Sequence, residues 1–407
     1  MTPSIKALRW LKISMSVPDL SISDRKSHAT PGFAEQLSTR LAFLITGLAM
    51  SAWAPLVPFA QARLGVNEAT LGALLLCLGG GSLIAMPLTG PLVNHYGCRK
   101  FITLSLLLMC ISLVFLGVAS TVPTLALTLL IFGMSLGATD VAMNMQAVIV
   151  EKASGRSMMS GFHGFYSLGG IFGAVIISGL LWVSLSPFQS LLALAVVLLA
   201  MLIYTVPKLL PYGNSTDGKR EPFFVLPRGK VLLLGALCFI VFLAEGSVLD
   251  WSAVFLTQVR AVDPVQAGLG FACFSVAMTI ARLTGDRIVQ HLGGKRILLW
   301  GGSCAALGFA IVVFVPNTIA AYIGFTLIGL GASNIVPVLF TAAGNQKSMP
   351  MGLAISAVVS MGYAGLLAGP ALIGFIAELS SLSISFLLVA AGMLLLAAYA
   401  TKVTKTE

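Results

Sequence analysis

Four ionisable side chains stand inside long apolar stretches of this 407-residue chain: Asp140, Glu245, Asp250 and Arg282. A charge in hydrocarbon is expensive, so such a group faces a cavity or a partner and marks a pathway for solutes or protons. Asp140 shares a stripe with Gly133, Gly137 and Asn144, at spacings of 4, 3 and 4 that place all of them on one helix face. An acid and an amide among small residues suit a cavity wall; the same glycines equally suit close helix packing. Glu245 lies midway between Lys230 and Arg260, near the centre of its stretch. Asp250 is five residues further on, roughly 7 Å along and about 140° around a helix, so the two acids have different tasks. Glu245 is read as a proton-coupling group, the alternative being a structural hydrogen bond. Asp250 and Trp251 are read as solute contacts or as packing of an outer gate.

His163 titrates near neutral pH and is placed to relay a proton to Asp140, or to serve as a satisfied structural histidine. Tyr166 and Gly170 share its face. Trp53, Asn144, Tyr166 and Asn334 complete the expected solute contacts. Arg282 and Asp286 are one helical turn apart and are expected to pair with each other at the edge of the bundle.

The elements that position these residues follow from composition. The chain is 57% hydrophobic and 9% charged, with a mean hydropathy of +0.98, against about 25% charged residues in a soluble domain. A membrane helix needs about 20 apolar residues. Twelve such runs fall near 41–61, 69–91, 101–119, 123–149, 160–184, 188–206, 231–258, 265–287, 297–315, 318–342, 351–377 and 383–401. The fold class is therefore an all-α membrane protein of twelve transmembrane helices. Pro55 and Pro58 free backbone carbonyls in the first run, which a cavity or neighbour must satisfy.

Of the basic residues, twenty-one sit in alternate connections and the termini, whereas only Arg63 and Arg260 occupy the opposite connections. That asymmetry places both termini in the cytoplasm of a cell whose inner membrane the chain spans. The net charge of +10 then reports topology and contact with the lipid bilayer, not nucleic acid. Residues 1–40 read as a disordered cytoplasmic tail. Residues 41–206 and 231–402 read as two six-helix bundles, joined by a Pro- and Gly-rich linker at 207–230 and followed by a short tail at 403–407. The six cysteines form no C-x-x-C pair, so neither a disulfide framework nor a metal site is expected. There is no G-x-x-x-x-G-K-[ST] for phosphate and no H-E-x-x-H, which argues against an ATP-driven pump or an enzyme.

The halves repeat at an offset of 196 residues: Leu92, Asn94, His95, Gly97, Arg99 and Lys100 correspond to Ile288, Gln290, His291, Gly293, Lys295 and Arg296. Gly72 matches Gly268 at the same offset, and Trp53 and Trp251 are nearly equivalent, as are Asp140 and Asn334. Such a repeat implies a central cavity and alternating access by rocking of the halves.

The segment G-P-L-V-N-H-Y-G-C-R-K at 90–100 resembles the G-x-L-x-D-R-x-G-R-[KR] signature of the major facilitator superfamily. It keeps Gly90, Leu92, Gly97 and Arg99 but has Asn94 in place of the acid. The counterpart R-L-T-G-D-R-I-V-Q-H-L-G-G-K-R at 282–296 resembles the fucose-permease-like branch. F-H-G-F-Y-S-L-G-G-I-F-G-A at 162–174 and A-E-G-S-V-L-D-W at 244–251 resemble uncharacterised bacterial inner-membrane members near it.

The resemblance implies two pseudo-symmetric bundles whose cytoplasmic gate involves Gly90, Asn94, Gly97, Arg99, Lys100, Arg282, Asp286 and Arg287. It also makes Asp140 a carrier of substrate or proton. The fourth run lacks the arginine of drug antiporters, and the first lacks the acid of fucose-type symporters. The resulting expectation is a secondary transporter of a small, polar, sugar-like solute, driven by the proton gradient without a cofactor and functional as a monomer. Efflux of amphipathic compounds is one alternative; a non-transporting receptor or scaffold on a transporter fold is another.

Overall fold

A bilayer core about 30 Å thick admits only helices whose backbone groups are satisfied internally, and helices are what these sequences form. The computed structural model describes residues 31–213 and 225–404. Most of the expected tail at 1–40, much of the linker and residues 405–407 lie outside the described residues. Helix α1 is Phe33–Ser51, a single 3-10 turn spans Ala54–Leu56, and α2 is Val57–Leu64. The first crossing is thus interrupted at Pro55 and Pro58, as their missing N–H groups demand. It begins at Phe33, before the expected start at 41, where the Glu35 carboxylate accepts from the Gly32 N–H at 2.7 Å and so caps the first turn.

There follow α3 (Glu68–Tyr96), α4 (Cys98–Leu116), α5 (Val122–Ser154), α6 (Met159–Trp182) and α7 (Pro187–Thr205). After the linker come α8 (Gly229–Arg260), the short α9 (Pro264–Ala267), α10 (Leu269–Phe314), α11 (Thr318–Ala332), α12 (Ile335–Asn345), α13 (Met351–Leu379) and α14 (Leu382–Thr404). Helix α10 has 46 residues, about 70 Å at the helical rise and too long for one crossing. Its backbone leaves helical geometry at Gly293 (φ 76, ψ 155), which divides it into the two expected spans. Twelve crossings result among the described residues. Apolar side chains such as Leu104, Phe115, Ile203 and Phe314 remain exposed on the outside, where lipid would cover them.

The 196-residue repeat extends to individual atomic contacts. Gly97 (φ 84, ψ 155) has the same backbone geometry as Gly293, a region open essentially to glycine alone. Thr121 caps the start of α5 and Asn317 caps the start of α11. Arg63 donates to the carbonyls of Leu116 and Gly117, and Arg260 to those of Val312 and Val313. Each accepting carbonyl is 196 residues from its counterpart. The two arginines that depart from the basic-residue asymmetry are therefore caps on the exposed C-terminal ends of equivalent helices.

The bundle face where α1 begins and α7 and α14 end is here termed the linker face. On it, Arg99 grips the start of the linker: Nε donates to the Leu209 carbonyl at 2.8 Å, Nη2 to Pro207 at 2.8 Å and the backbone N–H to Leu210 at 2.7 Å. Leu209 and Leu210 are buried. Gln146 joins the Leu210 N–H to Thr39. Arg99, expected at a gate between the halves, instead holds the linker to the first half.

The two signature glycines thus differ in surroundings. A Cβ at Gly97 would meet the Pro211 carbonyl, whereas one at Gly293 would meet open space. Both Gly97→Ala and Gly293→Ala incur backbone strain of about 1–3 kcal/mol, but only Gly97→Ala also displaces the linker. Thermal unfolding in detergent is expected to show the larger loss for Gly97→Ala; equal losses would contradict the linker contact.

Candidate functional site

Pro337 shapes the centre of the second half. It lies in the first turn of α12 and offers no N–H to the carbonyl four residues back, that of Ser333. The tenth crossing accordingly breaks at Ser333 and Asn334, between α11 and α12. Arg282 Nε takes the freed Ser333 carbonyl at 3.1 Å. Its Nη2 donates to Glu245 Oε1 at 3.2 Å, and its Nη1 donates to Ser167 Oγ at 3.1 Å. Ser167 belongs to α6 of the first half. One buried guanidinium therefore joins α8, the break in the tenth crossing and the opposite half.

The expected pair of Arg282 with Asp286 does not form, and Arg282 is not part of the linker-face contacts. The turn that separates them sends Arg282 toward the Glu245 carboxylate, in an otherwise apolar stretch. Asp286, one turn nearer the linker face, accepts from the Gly161 N–H at 2.8 Å. Ser333, Pro337 and Ser167 were not singled out from sequence, although a proline four residues after a serine marks a freed carbonyl.

Asp140 lies in α5 of the first half and is 7% exposed. Asn144 Nδ2 donates to the Asp140 carbonyl at 2.9 Å and approaches Oδ1 at 3.4 Å. Asn144 Oδ1 faces His163 Nε2 at 3.2 Å. The His163 ring packs between Phe43 and Phe340, with centroids at 5.2 and 5.6 Å. A direct relay from His163 to Asp140 is thus not present, because a non-titrating amide stands between them. Asn144 is fully buried and belongs to this internal link, not to a solute-lining surface.

The glycines of the stripe pack helices. Gly133 lies against the Leu78 backbone and Gly137 against Ser82, and Ser82 Oγ donates to the Gly133 carbonyl at 2.8 Å.

Tyr166 stands within electrostatic reach of Asp140, Glu245 and Arg282, with Tyr363 beside it. These tyrosines are 197 residues apart, so near-equivalent positions of the two halves meet each other. Tyr166, Ser167, Glu245 and Tyr363 all keep part of their surface accessible.

Asp250, read as a solute contact or as packing of an outer gate, is exposed. Trp251 packs against Gly374 of α13. The indole N–H groups of Trp53 and Trp251 are both buried without a partner, as is Asn334 Oδ1. Asn334 Nδ2 donates to the Ala281 carbonyl at 3.2 Å and to Ser333 Oγ at 3.0 Å.

The halves interlock at the linker face around the start of α6. Glu151 Oε2 accepts from the N–H groups of Met158 and Met159 at 2.8 and 2.9 Å, while Oε1 accepts from Thr341 Oγ1 at 2.6 Å. With Asp286 on Gly161, two carboxylates hold the positive end of one helix. Lys152 Nζ donates to the Gly344 carbonyl at 2.5 Å, the Ser157 N–H to Gln290 Oε1 at 2.8 Å and the Gly90 N–H to Ser356 Oγ at 2.9 Å. Asn94 sits against Gly352 of α13. Lys100 and Arg287 are exposed and take no part in these joins.

A cavity of about 400 Å³ lies beside the interlock, lined by Glu151, Ser160, Lys230, Gln290, Thr341 and Gln346 among others. It is separate from the central charges. All six cysteines are free thiols. Among the described residues, no cluster of His, Cys, Asp or Glu could hold a metal ion.

Removing one partner of a buried ion pair costs about 3–5 kcal/mol, because the other charge is left uncompensated. Arg282→Gln and Glu245→Gln should each lower the unfolding free energy in detergent by that order, and the double variant by less than their sum. A coupling above about 1 kcal/mol is expected from the cycle; additivity within about 0.5 kcal/mol would contradict the pairing.

Comparison with known proteins bears on what this arrangement does. The sequence profile of the Major Facilitator Superfamily matches residues 40–348 and 262–407. An uncharacterised MFS-type transporter of Yersinia pestis is 55% identical over 376 residues, covering 92% of this chain and 97% of that protein. Among solved structures, the Escherichia coli fucose:proton symporter FucP superposes with a TM-score of 0.75 at 17% identity, over 91% of this chain and 98% of that one. The human organic anion transporter MFSD10 superposes with a TM-score of 0.70 at 16% identity, over 90% and 99% of the two chains. At such identities the structural matches speak for the fold alone. Related over 92% of its length to an MFS-type transporter and matched by the family profile from residue 40 on, the chain belongs to the Major Facilitator Superfamily, a family of transporters and not of enzymes.

Proposed function

We propose that this chain is a proton-coupled secondary transporter of a small polar solute, sited in the inner membrane of a bacterial cell with its linker face toward the cytoplasm. The observation that carries the reading is the pair of carboxylates inside the bundle in unlike settings, Asp140 buried and Glu245 partly accessible. Asp140 has only a neutral amide beside it and no cation hydrogen-bonded to it. An ionised carboxylate so placed costs several kcal/mol, which a proton removes. Glu245 is held by Arg282, and Arg282 reaches across to Ser167 of the other half. Protonation of Glu245 releases its grip on the guanidinium that ties the halves together. Each acid thus links a proton to rearrangement of the bundle.

The interlock around α6 supports a state closed at the linker face. The partly accessible Tyr166, Ser167, Glu245 and Tyr363 would then be approached from the opposite side. Their hydroxyls suit a solute rich in hydrogen-bonding groups, in keeping with the fucose:proton symporter among the structural neighbours. Trp53 and Trp251 remain solute contacts in this reading, each with an N–H to offer. The transporter works as a monomer, since one chain supplies both halves of the pathway.

The test is uptake into proteoliposomes under an imposed pH gradient, screened over sugars, sugar acids and amino acids. Asp140→Asn and Glu245→Gln are each expected to lower gradient-driven uptake by about tenfold or more, equivalent to about 1.4 kcal/mol or more. If both variants retain it, proton coupling through these acids is wrong. Export of amphipathic compounds with no uptake of polar solutes would overturn the solute class.

A further inference from the structure

We infer that the solute carries a single anionic group, a carboxylate or its equivalent, and that the Arg282 guanidinium receives it when Glu245 lets go. The inference rests on the transport reading above and narrows its substrate class. Arg282 is positioned independently of Glu245: its Nε is fixed by the Ser333 carbonyl that Pro337 frees. Its two terminal nitrogens point at Glu245 and at Ser167. Ser167 is a neutral hydroxyl and cannot balance the charge. When Glu245 takes up a proton, the guanidinium therefore stays where it is, buried and uncompensated.

An isolated buried cation is as unfavourable as an isolated buried anion. A carboxylate arriving from solution would replace the lost Glu245 charge on a planar fork that matches it in shape. One proton and one anion enter together, so the pair site remains neutral before and after loading. Glu245 acts as an internal stand-in for the ligand, and a neutral solute would leave the cation exposed to the low dielectric around it.

The groups around this switch are few. Glu245 is faced by Arg282 from α10, Tyr166 from α6 and Cys238 from its own helix. Asp140 and Tyr363 lie one contact further, both within reach of Tyr166, and His163 senses the Arg282 charge from beyond. None of these is a second cation able to take the carboxylate in place of Arg282.

Equilibrium binding of a minimal carboxylate tests this without knowledge of the natural solute. Formate is the probe and formamide its neutral counterpart, each followed by the thermal unfolding of the full-length protein in detergent. Glu245→Gln should be stabilised by formate by at least about 2 °C and not by formamide. Glu245→Gln combined with Arg282→Gln should lose the difference. The wild-type protein should distinguish the two probes more strongly as the pH is lowered, which covers the case in which Glu245→Gln fails to fold.

If neither Glu245→Gln nor the wild-type protein at acid pH distinguishes formate from formamide, the inference is overturned. The same holds if the distinction survives in the double variant. Binding is read at equilibrium with no gradient. A protein that binds formate at Arg282 but moves nothing refutes the transport reading, while one that transports neutral solutes and ignores formate refutes this inference.

Discussion

The guanidinium of Arg282 is the point on which the rest of the structure depends. In a bilayer every backbone carbonyl needs a donor and every charge needs a partner, and Arg282 meets three such needs at once. It takes the Ser333 carbonyl that Pro337 leaves free, balances Glu245 and reaches Ser167 across the divide between the halves. A break in one helix, an acid in a second and a hydroxyl in a third are thereby set in a single geometry. In the proposed mechanism, altering the charge of Glu245 changes what holds the two halves at their centre, which would give a proton mechanical consequences.

The scaffold that surrounds this group is symmetric, and the chemistry placed on it is not. Gly97 and Gly293, the caps Thr121 and Asn317, and the arginine-capped carbonyls at the ends of α4 and α10 repeat at one offset. The positions equivalent to Arg282, Glu245 and Asp140 are Met86, Ala49 and Val336, none of them ionisable. The ion pair thus belongs to the second half and the solitary acid to the first, with Tyr166 and Tyr363 meeting between them. At the linker face the asymmetry recurs: Asp286 closes on the α6 backbone with a charge, while Gly90 and Asn94 pack against α13 without one. In the proposed mechanism, two like halves carrying unlike charges rock as rigid bodies and respond to a proton at one place.

Much of the fold was legible because the bilayer imposes a length and the repeat imposes a period. The twelve spans, the interruption at Pro55 and Pro58 and the equivalence of Gly97 and Gly293 follow from those two rules. The partners of the charged residues were harder to read. Helical spacing favours Asp286 for Arg282, since it ranks neighbours one turn away, whereas Glu245 is 37 residues distant in the chain and is brought near by packing of α8 against α10. The stripe of Gly133, Gly137, Asp140 and Asn144 correctly placed four residues on one face, but periodicity says nothing of what that face meets. Its glycines turned to α3 and its amide to His163. The Ser333–Pro337 spacing was readable in principle, because a proline names the carbonyl it abandons.

Pulsed electron–electron distances between nitroxides on the linker face test the central claim most directly. Ala153 of the first half and Arg287 of the second are both exposed and outside the contacts that join the halves. With labels at these two positions, replacing Glu245 by Gln should lengthen or broaden the distance distribution at neutral pH, and acidification of the otherwise wild-type protein should move it the same way. An unchanged distribution under both conditions would contradict the account, since the charge of Glu245 would then have no hold on the arrangement of the halves.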